Sequence, residues 1–161
     1  MPVIVIIIVV GLGVLALVLL REQQQTSKMI TRGLAVKRDI HFYKYIATFI
    51  TNTRDFAAVC SALDQAVFNE MQISSQPNAA DGWIKFLNAG KMGTYQAVLQ
   101  VDGNRGDRYA YSFQFLSWTG PSGEMNKHDV LSGNVLLTAV EKAFITLDPN
   151  AGFERERMKI K

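Results

Sequence analysis

The fold of this chain is decided by an aromatic segment in its second half, Arg108–Trp118, which reads RYAYSFQFLSW. Aromatic side chains recur there at every second position: Tyr109, Tyr111, Phe113 and Phe115. Because successive side chains of a β-strand point to opposite faces of a sheet, these four rings share one face. The pattern therefore predicts a long strand whose aromatic face packs against a hydrophobic core.

The residues before this strand predict its hairpin partner. Residues 94–101 alternate between apolar and polar side chains, and DGNRGD at residues 102–107 has the glycine, Asp and Asn content of a turn. Residues 71–93 contain SSQPNAADG and NAGKMG, so they are interpreted mostly as loop. Within them, residues 82–88 (GWIKFLN) are expected to form a short helix.

Two helices and two further strands complete the predicted domain. Residues 41–51 (HFYKYIATFIT) are aromatic and β-branched, which is typical of a strand. Residues 52–70 and 129–147 repeat apolar side chains at helical spacing, so each is predicted to be one amphipathic helix. Residues 153–161 (FERERMKIK) indicate a final strand of alternating charge.

The resulting order, β-α-β-β-α-β, is typical of a ferredoxin-like two-layer sandwich. We therefore predict an α+β domain over residues 39–161 with a four-stranded sheet in the order 4-1-3-2. In that sheet the first and third strands are central and the second and fourth are edges. The charged last strand fits an edge, because charge on an edge strand opposes aggregation.

An uncharged apolar run, PVIVIIIVVGLGVLALVLL, occupies residues 2–20. As a helix it spans about 28 Å, close to the thickness of the hydrocarbon core of a bilayer. The run starts at once, is long for a signal peptide and has no small-residue cleavage site after it. We therefore expect residues 1–20 to be a retained transmembrane anchor that contacts the lipid bilayer through residues 2–20.

Residues 21–38 (REQQQTSKMITRGLAVKR) are polar and basic, and are expected to form a partly helical juxtamembrane linker. Their basic residues are Arg21, Lys28, Arg32, Lys37 and Arg38. Since basic residues beside a membrane helix favour the cytoplasmic side, the N-terminus is expected outside and the C-terminal domain in the cytoplasm. The sequence thus predicts a single-pass protein of the cell membrane.

No motif in the sequence indicates catalysis, a metal or a cofactor. His41 and His128 are isolated from other ligand types, and Cys60 lies on the apolar face of a predicted helix, where a buried thiol is the simpler interpretation. The nucleophile elbow, the phosphate-binding P-loop and the dinucleotide-binding glycine motif are all missing from the sequence. We therefore expect no enzyme, metal or cofactor; an active site built from residues far apart in sequence is the alternative.

Residues 108–113 (RYAYSF) partly resemble the aromatic signature of RNA-recognition motif domains. The resemblance covers six residues and implies that Tyr109 and Tyr111 would stack on bases. The glycine that this signature places after the basic residue is absent, because Tyr109 follows Arg108 directly. Four aromatic rings facing the helices would fill the core, so nucleic acid is not the expected partner.

If the rings face the helices, Met158 and Ile160 of the last strand should point inward and its basic side chains outward. Together with a lysine of the first strand, these form the predicted interaction surface: Lys44, Arg155, Arg157, Lys159 and Lys161. The expected function is a protein-interaction or scaffold module, for a protein partner or for self-association. The net charge of +3 is mild, and binding of anionic lipid or nucleic acid through this basic edge is the alternative.

Overall fold

The computed structural model describes the backbone of residues 2–90 and 93–158, and the side chains from residue 14 onward within these ranges, except at positions 15, 22 and 93. Its helices are α1 (Pro2–Thr31), α2 (Phe56–Ala62), α3 (Gln65–Glu70) and α4 (Lys127–Leu147). Its strands are β1 (Tyr45–Thr51), β2 (Ile73–Asn78), β3 (Trp83–Gly90), β4 (Gly93–Arg105), β5 (Arg108–Trp118) and β6 (Gly152–Arg157). Short 3₁₀ turns, Phe42–Lys44 and Pro121–Gly123, precede β1 and α4.

The six strands form one sheet in the order β2-β3-β4-β5-β1-β6, and every neighbouring pair is antiparallel. The α+β class is confirmed. The ferredoxin-like sandwich with a four-stranded sheet in the order 4-1-3-2 is wrong. The error arises in residues 71–93, which contribute β2 and β3 instead of a loop and a short helix.

Residues 71–93 combine the alternating pattern of a strand with residues that are typical of turns. Along β3, Ile84 and Phe86 are buried whereas Lys85 and Leu87 are exposed, which is the period of two expected of a strand. Pro77 is tolerated in β2 because β2 is an edge strand, where a missing N–H interrupts no further ladder.

The predicted helix over residues 52–70 is interrupted between α2 and α3. Asp55 caps α2 by accepting a hydrogen bond from the Ala57 N–H (2.8 Å). Asp64 caps α3 in the same way, with Ala66 N–H at 3.1 Å and Val67 N–H at 3.2 Å. A second N-cap residue inside one apolar pattern therefore ends one helix and starts another.

The aromatic face of β5 packs against the helices, as predicted. Tyr111, Phe113 and Phe115 are at most 2% exposed. The rings of Tyr111 and Phe144 lie 5.1 Å apart, which joins β5 to α4. Gly133 lets α4 approach closely, because a Cβ there would lie 3.1 Å from the Phe115 ring.

Among the described residues, one helical stretch, Pro121–Leu147, is long and apolar enough to cross a membrane by length and composition. Of the 18 most apolar consecutive residues in this stretch, 56% are buried inside the fold. Val135, Leu136, Val140 and Phe144 are 0% exposed. Packing in the core of the domain therefore accounts for the apolar composition of α4.

The N-terminal helix also differs from the prediction. We expected an anchor ending at Leu20 and a partly helical linker, but α1 is one helix of 30 residues that continues to Thr31. Gly33, two residues after its last helical residue, has φ +68° and terminates the helix. The Gly33 N–H donates to Ile30 O (2.9 Å) and the Leu34 N–H to Met29 O (2.9 Å), the paired bonds of a glycine-ended helix.

Candidate functional site

The predicted basic surface depended on which way the side chains of β6 point. In the register of β6 with β1, Arg155 lies opposite Ala47 and Arg157 opposite Tyr45. Residues directly opposite in an antiparallel pair share a face, and Ala47 belongs to the buried, helix-covered face. Arg155 and Arg157 therefore lie on the helix side, and the expectation that they point away from it is wrong.

Lys44 lies in the 3₁₀ turn before β1 and is paired with a carboxylate. Its Nζ donates to Glu124 Oε1 at 2.6 Å, and Tyr43 donates to the other oxygen of Glu124. His41 Nδ1 lies 3.2 Å from the same carboxylate. The hydrogen bonds from Lys44 and Tyr43 lower the pKa of Glu124 to about 2. Lys44 thus helps to attach the loop before α4 to the start of β1.

Arg155 is also engaged, because its Nη2 lies 3.3 Å from Glu141 Oε1 on α4. Glu141 is shared with Arg38, whose Nη1 donates to the same oxygen at 2.9 Å. Arg157 is exposed at the end of β6. The structure therefore places Lys44 and Arg155 in separate ion pairs, while Lys159, Lys161 and the predicted inward Ile160 lie outside the described residues.

The face of the sheet opposite the helices is a larger candidate surface, which we call the open face. It carries Ile46, Thr48 and Ile50 of β1, Trp83, Lys85 and Leu87 of β3, Gln96, Val98 and Gln100 of β4, Ser112, Gln114 and Leu116 of β5, and Glu154 and Glu156 of β6. Leu87 is 39% exposed and Leu116 is 48% exposed. Apolar and charged side chains are thus presented together, as in many protein contacts.

The open face carries positive charge on one side of β5 and negative charge on the other. Lys85 projects from β3, where its Nζ lies 4.8 Å from the centre of the Trp83 ring. Glu154 and Glu156 project from β6, on the far side of β5 and β1. The sequence-based prediction does not include these residues in a site. The alternation of Ile84 and Phe86 with Lys85 is the available signal, but the prediction places a short helix over residues 82–88.

The segment between α1 and the sheet lies against α4. Ala35 is 2% exposed, and Asn134 Nδ2 of α4 donates to Val36 O at 2.8 Å. Lys142, one turn from the end of α4, donates to Gly33 O. Residues 33–38 are therefore fixed to the domain by hydrogen bonds and burial.

The described part of α1 before Arg21 exposes apolar side chains. Leu17, Val18, Leu19 and Leu20 are between 44% and 61% exposed. Successive residues of a helix are about 100° apart around its axis, so four in a row cover its whole circumference. The helix surface at this level is therefore apolar on every side.

Polar groups at the start of α4 make structural contacts. Asn88 Nδ2 donates to Ser132 Oγ (3.0 Å) and to Met71 O (3.0 Å), and the hydroxyls of Tyr95 and Ser132 lie 3.0 Å apart. Burial raises the pKa of Tyr95 and that of Asp129. These contacts tie α4 to β3 and β4, and they tie β3 to Met71, the residue after α3.

The remaining reactive side chain, Cys60, is partly buried on α2. Burial raises the pKa of its thiol, which disfavours the thiolate that a nucleophile needs. Among the described residues, no three His, Cys, Asp or Glu side chains lie close enough together to hold a metal ion. The absence of catalysis and of a cofactor stays a prediction.

Comparison with known proteins assigns the chain to no family. No protein-family model matches the sequence, and no curated protein is significantly similar to it.

Proposed function

We propose that this chain is a single-pass membrane protein whose α+β domain is held at the cytoplasmic face and binds other proteins without catalysis. The observation that carries the membrane part is the exposure of four consecutive apolar side chains, Leu17 to Leu20, around α1. A helix that is apolar on all sides is stable when it is buried in a protein core or in lipid. Uncharged residues 2–20 supply the length for lipid.

The interaction part of the proposal is supported by the open face. It displays Leu87, Leu116 and charged side chains on a rigid sheet, away from the helices. The alternative, binding of anionic lipid or nucleic acid through a basic edge, has less support. It requires free cations, whereas two of the three cations of this edge that the structure describes, Lys44 and Arg155, are paired with Glu124 and Glu141.

Membrane retention of the full chain tests the anchor. Wild type is expected to stay in the membrane pellet after alkaline carbonate washing. Val14→Lys with Leu17→Lys should release a large fraction, because a lysine costs up to about 3 kcal/mol inside a membrane helix, with the larger cost at Val14 and the smaller at Leu17 near the end of the anchor. Leu87→Lys, an exposed leucine outside α1, is the matched control. Wild type that washes off like a peripheral protein would refute the anchor.

Protease treatment of sealed and opened cells tests the orientation. The domain is expected to resist protease until the cells are opened, since the basic residues after position 20 favour the cytoplasm. Digestion in sealed cells would reverse the proposed topology.

Site-specific photo-crosslinking in the membrane tests the interaction surface. A photoreactive residue at Gln96 on the open face is expected to form a defined protein adduct. The same group at Thr146, an exposed position of α4 on the helix side, is the control. Adducts at Thr146 but none at Gln96 would show that the partner binds the helix side and not the open face.

A further inference from the structure

We infer that the open face joins two copies of this chain, related by a two-fold axis that runs along β5. The inference rests on the proposed interaction function and identifies its partner as a second copy. Three features carry it: the placement of charge across the sheet, the charge pattern of the free edge, and the direction in which α1 leaves the domain.

The first feature is a row of residues that crosses the open face. In this row, directly paired residues of successive strands follow one another from β3 to β6: Trp83, Gln100, Ser112, Thr48 and Glu154. Two residues further along the same strands, Lys85 lies beside Val98, Val98 beside Gln114, and Ile46 beside Glu156. Lys85 and Glu156 therefore lie at nearly the same level, two strands from β5 on opposite sides.

A two-fold rotation about β5 exchanges these two sides while keeping each level. When two such faces meet, Lys85 of each copy lies over Glu156 of the other, and Trp83 lies over Glu154. Ser112 and Gln114 of β5 face their own counterparts at the axis. The contact of Lys85 with Glu156, which occurs twice in the dimer, then joins opposite charges, and this favours the pairing over other orientations.

The second feature excludes the simplest competing dimer, in which two β6 edges pair into one continuous sheet. Along β6, Arg155 and Arg157 lie on the helix side whereas Glu154 and Glu156 lie on the open face. A two-fold axis perpendicular to the sheet pairs residues of the same face. The registers that bring the four charged residues of the two edges together would then set arginine beside arginine and glutamate beside glutamate, which is destabilising.

The third feature is the path of α1. The start of α4 lies beside the end of β5, where Asn126 N–H donates to Thr119 O at 3.2 Å. Its end lies beside the start of β5, where Arg108 Nη2 is 3.3 Å from the Asp148 carboxylate. Helix α4 therefore runs along the strands, antiparallel to β5.

Helix α1 follows the direction of α4. A cavity of about 500 Å³ between them is lined by Leu19 and Thr26 of α1 and by Lys127 and Leu131 of α4, while Gly33 lies at Lys142 near the end of α4. Residues before Leu19 thus continue past the start of α4, along the strand direction. A two-fold axis parallel to the strands sends both α1 helices out at the same end, as two anchors in one bilayer require.

The open face also supplies a broad area for a dimer. A two-fold axis along β5 overlaps five strands of each copy, β3, β4, β5, β1 and β6. At about 4.8 Å apart and about 20 Å long, they give a projected area of roughly 480 Å², to which the uneven side-chain surface adds. A stable protein contact buries about 800 Å² of accessible surface on each partner.

Charge exchange in the full chain, reconstituted in detergent micelles, tests the inference. Wild type is expected to sediment as a dimer. Lys85→Glu or Glu156→Lys alone should raise the dissociation constant about tenfold, because two opposite-charge contacts become repulsive in each dimer. The double variant should return to within about threefold of wild type. Lys127→Glu, a charge reversal away from the open face, is the matched control.

Crosslinking separates this dimer from one held by α1. In a Cys60→Ala background, Gln114→Cys should crosslink between copies with a short bis-maleimide, since packed sheets lie about 10 Å apart. Thr146→Cys on α4 should not. A wild-type monomer at about 100 μM overturns the inference. So does a dimer that ignores the charge exchange, or one that crosslinks at Thr146→Cys only. None of these results affects the anchor, which is judged by carbonate washing.

Discussion

The guanidinium of Arg38 and the carboxylate of Glu141 form an ion pair that joins the segment after α1 to the middle of α4. The Arg38 side chain is 3% exposed and that of Glu141 is 18% exposed. Arg38 also donates to Asn134 Oδ1 (2.9 Å) and to Thr138 Oγ1 (3.1 Å). From the sequence, Arg38 is expected to be one of several juxtamembrane cations, but in the fold it attaches the segment after α1 to α4.

Removing the guanidinium should therefore destabilise the whole domain. Arg38→Ala is expected to lower the free energy of unfolding by about 2–3 kcal/mol, because Glu141 keeps only its longer contact with Arg155 and because Asn134 and Thr138 lose the hydrogen bonds from Arg38. Urea unfolding of the full chain in detergent, followed by tryptophan fluorescence, measures the change.

The neighbouring ion pair of Arg32 and Glu70 is the control. Its side chains are 52% and 40% exposed, so Arg32→Ala should cost less than about 1 kcal/mol. Equal losses in the two variants would mean that burial does not distinguish them, and would refute the role given to Arg38.

The close approach of α4 to β5 at Gly133 gives a second prediction. Gly133→Leu should destabilise by about 2–3 kcal/mol, because the added side chain meets the Phe115 ring, already 3.1 Å from a Cβ. Gly133→Ala should change little, since a gain in helix propensity of about 1 kcal/mol offsets the tight contact. Thermal unfolding of both variants measures these changes. A Gly133→Leu variant as stable as wild type would show that α4 can shift away from the sheet.

Sequence reasoning predicted the elements with long, regular patterns. The alternation of aromatic rings in β5 and the helical repeat in α4 each extend over many residues, so local chemistry identified them. It did not identify β2 and β3, because Pro77 and the asparagines and glycines around them are the residues that usually mark loops. Only the edge position of β2 makes Pro77 acceptable, and that position is a property of the whole sheet.

The candidate site was harder to predict than the fold. An error of one residue in the register of a strand moves each of its side chains to the other face of the sheet. Arg155 is predicted on the open face but lies on the helix side. The pairing of Arg38 with Glu141 joins residues 103 positions apart. No pattern in one sequence marks such a contact, so a buried cation and a lipid-facing cation are indistinguishable there.

The break between α2 and α3 gives a third prediction, because it depends on one side chain. Asp64→Ala removes the acceptor for the Ala66 and Val67 N–H groups and should destabilise by about 1 kcal/mol. Asp107→Ala, in the exposed turn between β4 and β5, should stay within about 0.5 kcal/mol of wild type. Urea unfolding compares the two; an Asp64→Ala variant as stable as Asp107→Ala would mean that packing of Leu63 alone sets the break.

The acid limit of stability should depend on Asp148, at the end of α4. Its carboxylate accepts hydrogen bonds from the Asn52 N–H (2.8 Å) and the Thr51 hydroxyl (3.0 Å), and Arg108 lies 3.3 Å away. These contacts lower the pKa of Asp148 to about 2, the Asn52 N–H most strongly. An unfolded aspartate titrates near 3.9. Because the folded-state pKa is the lower one, ionised Asp148 stabilises the fold above about pH 4, and this contribution is lost as the pH falls towards 2.

Asp148→Asn should therefore lower stability at neutral pH and flatten the decline of stability between about pH 4 and pH 2. Urea midpoints of the full chain across this range measure both effects. Leu87→Asn, an exposed substitution that adds no titrating group, should keep the wild-type slope. A variant Asp148→Asn with an unchanged slope would assign the acid sensitivity to other carboxylates, such as Glu124, whose pKa is also lowered to about 2 by Lys44 and Tyr43.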